Sequence, residues 1–139
     1  MPTSVSWSVN VSVCGGPQLT ESRAGEVEAF DVIKITVPAG EVGAPGEATV
    51  EVQPAAAAED VLLVLIKSDR YSQAPDEELL KFSVEGGQQD IALDAPQWLV
   101  GRGAIGLLGA SPKKLEFQNE LGAGNDAAIT IIVGRNATP

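Results

Sequence analysis

Residues 61–66, Val-Leu-Leu-Val-Leu-Ile, form an unbroken apolar run closed by Glu59 and Asp60 on one side and by Lys67, Asp69 and Arg70 on the other. Such a run has no polar face, so it must be covered on both sides whatever its backbone does. Its length selects the backbone: a buried helix needs about 10–12 residues, whereas four to eight apolar residues bounded by charge suit a central strand. The run is therefore expected to be the innermost strand of an all-β domain.

The N-terminal stretch gives the cleanest strand signal. From residue 4 to 13, Val5, Trp7, Val9, Val11 and Val13 alternate without error with Ser4, Ser6, Ser8, Asn10 and Ser12. Period two over ten residues predicts a half-buried strand. Its polar face holds only small uncharged groups, whereas a face meeting bulk water usually carries Lys or Glu. A flat face without charge does little to prevent pairing with another chain. Ser4, Ser6, Trp7, Ser8, Asn10 and Ser12 are accordingly the candidate interface residues, with a merely solvated serine face as the alternative.

Residues 14–25, rich in Gly and polar groups, read as a loop of about a dozen residues, long enough for a crossover between sheets or for a functional loop. Residues 26–37 predict a second strand, ended by Pro38-Ala39-Gly40, and residues 47–52 a third. Beyond the central run, Pro75 and the acids at 76–78 predict a helical turn, and Leu80 to Val84 resume period two. Short extended pieces follow at 90–93 and 98–100. Residues 115–121 and 128–135 predict a final hairpin across the Gly-rich stretch 122–126. The count is eight or nine strands with no αβ alternation. A single domain over 1–139 is expected, a two-sheet antiparallel β-sandwich with jelly-roll or Greek-key connections.

Composition narrows the chemistry. The 139 residues carry 9 Lys and Arg against 19 Asp and Glu, a formal charge of −10, which repels phosphate backbones and anionic lipid and argues against nucleic acid or membrane as partner. There is no histidine, so Ser-His and Cys-His catalysis and a typical zinc ligand set are unavailable. Cys14 is the sole cysteine. It excludes an intrachain disulfide and reads as a small, partly buried residue near a turn. The acids at 76–78 and Asn125-Asp126 lack the spacing of a calcium loop. The G-x-G-x-x-G match at 101–106 is cut short by Gly109 and Pro112 before a dinucleotide-binding helix could form, and reads as a bend between strands. No cofactor is expected. Trp7, Tyr71 and Trp98 are scattered, as core or edge aromatics would be. No stretch reads as a signal peptide or membrane span, so synthesis in the cytoplasm is expected.

These readings predict a non-enzymatic structural protein. It would self-assemble as a homo-oligomer, or decorate a larger assembly such as a capsid, shell or filament, through strand edges and apolar faces, with a virion or another assembled particle as its destination. The alternative is a β-sandwich module whose loops bind a carbohydrate or a protein.

Overall fold

The computed structural model describes residues 3–27, 29–52, 60–72, 79–109 and 112–136. Two strands come first, β1 (Thr3–Ser12) and β2 (Gln18–Val27), and form a two-stranded sheet of their own among the described residues. Eight more follow: β3 (Ala29–Val37), β4 (Gly46–Glu51), β5 (Asp60–Ser68), β6 (Leu80–Val84), β7 (Ile91–Ala92), β8 (Gln97–Val100), β9 (Lys114–Asn119) and β10 (Ala127–Asn136). They form two antiparallel four-stranded sheets, ordered β3-β10-β5-β8 and β4-β9-β6-β7. Numbered in chain order, these eight lie as first, eighth, third, sixth in one sheet and second, seventh, fourth, fifth in the other. That is the jelly-roll order, in which nearly every connection crosses between sheets. The described residues thus form ten strands, eight in the sandwich and two in a separate hairpin.

Alternation builds the core. Val64 and Ile66 of β5 and Ile129, Ile131 and Val133 of β10 turn inward from one sheet, and Leu80, Phe82, Val84, Leu115 and Phe117 meet them from the other. Phe82 and Phe117 stand opposite each other in the β6–β9 register, with ring centroids 5.8 Å apart. The central run is an interior strand, as expected, but it is not equally covered on both sides. Leu62 and Leu65 are only partly buried. The β5–β10 register shifts between Gly134 and Arg135, leaving Leu62 without a counterpart and returning Val61 to the core side.

Two corners depend on particular residues. At the turn from β3 to β4, a Cβ at Gly46 would overlap the Pro38 carbonyl, so the chain can double back there only without a side chain. At the far end of β9, buried Asn119 donates from Nδ2 to the carbonyls of Val37 (3.2 Å) and Asn125 (3.0 Å) and accepts from the Leu121 N–H (2.9 Å). One amide thereby ties β3, β9 and the 121–126 connection together. That connection is a crossover between sheets, because β9 pairs with β4 and β6 while β10 pairs with β3 and β5. The hairpin expected across 122–126 is therefore corrected: both strands are real, but their apolar faces belong to opposite sheets. The helical turn expected at 75–78 lies outside the described residues, as do the acids at 76–78.

Candidate assembly interface

The N-terminal segment is an arm. β1 and β2 pair antiparallel from Thr3↔Val27 to Ser12↔Gln18, and residues 13–17 reverse the chain between them. At about 3.4 Å per residue the ten paired positions extend roughly 34 Å. Residues 14–25, expected as a loop, are thus a short turn followed by most of a strand. The expected strand over 26–37 is divided between β2 and β3. The alternation of β2 is hidden in the sequence because its inward-leaning parity, Leu19, Glu21, Arg23, Gly25 and Val27, mixes charges with apolar residues.

Period two sorts the arm into two faces. One carries Ser4, Ser6, Ser8, Asn10 and Ser12 opposite Glu26, Ala24, Ser22, Thr20 and Gln18. Nine of these ten are uncharged, and all of them are exposed. Near the turn the Asn10 Oδ1 accepts from Gln18 Nε2 (3.2 Å) and Thr20 Oγ1 (3.3 Å), a cross-strand side-chain ladder. The other face carries Val5, Trp7, Val9 and Val11 with Leu19 and Val27. The structure therefore places Trp7 on the opposite face from Ser4, Ser6, Ser8, Asn10 and Ser12. Cys14 sits exposed in the turn at the arm's tip, which corrects the partly buried position expected for it.

Among the described residues, the arm is anchored at its base. Val27 is buried, and its Cγ1 lies 3.0 Å from where a Cβ on Gly134 would be, beside Leu63. Glycine at 134 is what lets the arm's base settle on β10. Just above, Val5 and Trp7 face Leu62, Leu63 and Val100 across an open crevice of about 340 Å³. Further out the apolar face is uncovered: Val11 is 48% exposed and Leu19 65%.

The two sheets differ in their outer faces. On β4-β9-β6, Glu47, Gln118 and Lys81 line up across the strands, as do Thr49, Glu116 and Ser83, a charged surface suited to water. On β3-β10-β5-β8 the corresponding row is Val32, Ile132, Leu65 and Trp98, flanked by Phe30, Gly134, Leu63 and Val100. Phe30, Val32 and Trp98 are each half exposed. Among the described residues eight large apolar side chains are exposed, and six of them lie on the arm and its turn or on this sheet face, so the pattern is a patch and not scatter. Sequence reasoning did not single out this face, although Phe30 and Val32 occupy one clear parity of the strand at 26–37.

A second crevice, about 730 Å³, lies at the loop end between Asp69, Arg70, Tyr71, Asp94, Leu121 and Asn125. Several of its polar groups brace the loops. Arg70 donates to Asn125 Oδ1 (3.0 Å) and to the Asp126 carbonyl (3.2 Å), and the Tyr71 hydroxyl accepts from the Ser68 N–H (3.0 Å). Trp7, Tyr71 and Trp98 lie on the arm, in this loop and on the outer sheet face respectively. The glycine motif at 101–106 folds as one short helix, α1 (Arg102–Gly106), after an antiparallel edge strand. Among the described residues, no group of three or more Cys, Asp or Glu is placed to hold a metal ion, and no helix is long and apolar enough to cross a membrane. No family model, curated protein or solved structure matches the chain.

Proposed function

We propose that this protein is a non-enzymatic structural subunit that self-assembles, or decorates a larger assembly such as a capsid, shell or filament, and that the N-terminal arm is its assembly element. The observation that carries this reading is the uncovered arm. A two-stranded hairpin is at best marginally stable alone in water, because neither face is packed and both edges have unpaired backbone groups. Here ten residue pairs are held in that form, with an apolar face left open and a polar face almost free of charge. Fully burying a Val, Leu or larger side chain contributes about 1.5–3 kcal/mol, so covering Trp7, Val9, Val11 and Leu19 supplies several kcal/mol that the single chain leaves unused. Ser4, Ser6, Ser8, Asn10 and Ser12 can lie against another chain at little desolvation cost. Light scattering across a range of concentrations, with a micrograph of the same sample, tests the reading: a defined oligomer or particle is expected of a self-assembling subunit, and a monomer at every concentration contradicts self-assembly.

The loop-end crevice favours a second reading, in which the loops bind a carbohydrate or a protein. That reading predicts a small species whose melting temperature rises with a glycan or peptide, and no dependence of ligand binding on the arm.

A further inference from the structure

We infer that the outer face of sheet β3-β10-β5-β8 is the seat of a second copy's arm, so that each chain gives one arm and receives one. The inference rests on the assembly reading and specifies the surface through which it works.

Three observations carry it. The first is that a chain's own arm leaves this face open: Trp7 reaches only the crevice at the base, while Val32 and Trp98 remain 51% and 54% exposed. The second is size. With strands about 4.8 Å apart and about 3.4 Å of rise per residue, a two-stranded arm of ten pairs presents roughly 330 Å², and the Val32–Trp98 row with the neighbouring Lys34–Thr130–Lys67 row, both clear of the chain's own arm base, presents a similar area. A chain that both gives and receives an arm therefore takes part in burying about 1,300 Å², within the ~1,200–2,000 Å² of stable interfaces. The third is charge. The strand residues on this outer face carry Lys34 and Lys67, in register on either side of Thr130, against one acid, Asp60, at the register position opposite Asn136 at the far end of β5, in a chain of net charge −10. The arm's apolar face brings Glu21, held only loosely by Arg23 at 3.8 Å with both exposed. An acidic protein thus presents a lysine-edged apolar seat to an apolar strand pair whose one carboxylate is matched by Arg23 on the same face, so like-charge repulsion between copies is reduced there.

The test uses two double variants of the full chain at exposed positions, Val11→Lys with Leu19→Lys on the arm and Val32→Lys with Trp98→Lys on the seat. Circular dichroism and sedimentation velocity are recorded on each alone and on a one-to-one mixture. Both variants are expected to keep the β signal and to need about thirtyfold or more protein for half-association, as loss of central contacts requires. The mixture is expected to associate at lower concentration than either variant alone, as a two-chain species, because one partner retains an intact arm and the other an intact seat, and to fall short of the unaltered chain because it makes one such contact and not two. If the seat variant assembles like the unaltered chain while the arm variant does not, the arm docks elsewhere; the inference falls and the assembly reading stands. Should the unaltered chain be monomeric, with both variants merely lowering its melting temperature, the arm closes on its own sheet, and both the inference and the assembly reading fall.

Discussion

At the scale of single residues, two positions decide more than their chemistry advertises. Asn119, fully buried, bonds two carbonyls and one N–H from three different segments. Asn119→Leu keeps the volume and removes all three bonds, so a loss of about 2–3 kcal/mol is expected in urea denaturation, while an unchanged midpoint would show that the tie is dispensable. Gly134 is the floor under Val27. Gly134→Leu forces a side chain into a gap where even a Cβ would lie 3.0 Å from Val27 Cγ1, with an expected cost of about 1–3 kcal/mol and a change in Trp7 emission as the arm's base lifts. The sequence placed the serines and Trp7 on alternating sides, and the backbone follows that alternation. It could not reveal the depth of Cys14, because burial at a turn depends on what else packs there, and nothing does. Asn119 was legible as an inward position by parity alone; its role as a tie was not, since its partners lie 82 and 6 residues away.

At the scale of elements, legibility follows burial. Strands with one face in the core, such as β6 (Leu80–Val84) and β9 (Lys114–Asn119), announced themselves by period two. β2 did not, because the parity it shares with the apolar face of β1 sets Glu21, Arg23 and Gly25 between Leu19 and Val27. The sheet partners of β9 and β10 were hidden for another reason: a Gly-rich turn between two strands serves a hairpin or a crossover equally well, and only the facing core decides. The same distinction separates two neighbours in β5 that look equivalent in the apolar run. Val64 faces the core and Leu63 faces the arm's base. Val64→Asp buries an unpaired carboxylate between the sheets and should leave no cooperative unfolding transition. Leu63→Asp should retain the sandwich and loosen the arm, detected as faster proteolysis near the 24–29 junction. Equal unfolding by both substitutions would contradict this division of the strand into two sides.

At the scale of the whole molecule, the proposed assembly rests on a sandwich with one charged outer face and one apolar outer face, joined to an arm with an apolar side of its own, a shape that further copies of itself would complete. The net charge of −10 opposes that completion at long range. Raising ionic strength from ~0.01 M to ~0.15 M shortens the screening length from about 30 Å to about 8 Å, so association should strengthen with salt over that interval, and weakening would mean that ion pairs dominate the contact. The all-β class and the alternation of β1 could be read from residues alone; the polarity difference between the two sheets could not, because it emerges only when register aligns Val32, Ile132, Leu65 and Trp98 in one row. The most direct test of the account is the solution mass of a chain lacking residues 1–26, compared with the intact protein at the same concentrations. The account predicts a folded, cooperatively melting monomer beside an assembled parent; an arm-less chain that assembles as the parent does would contradict it.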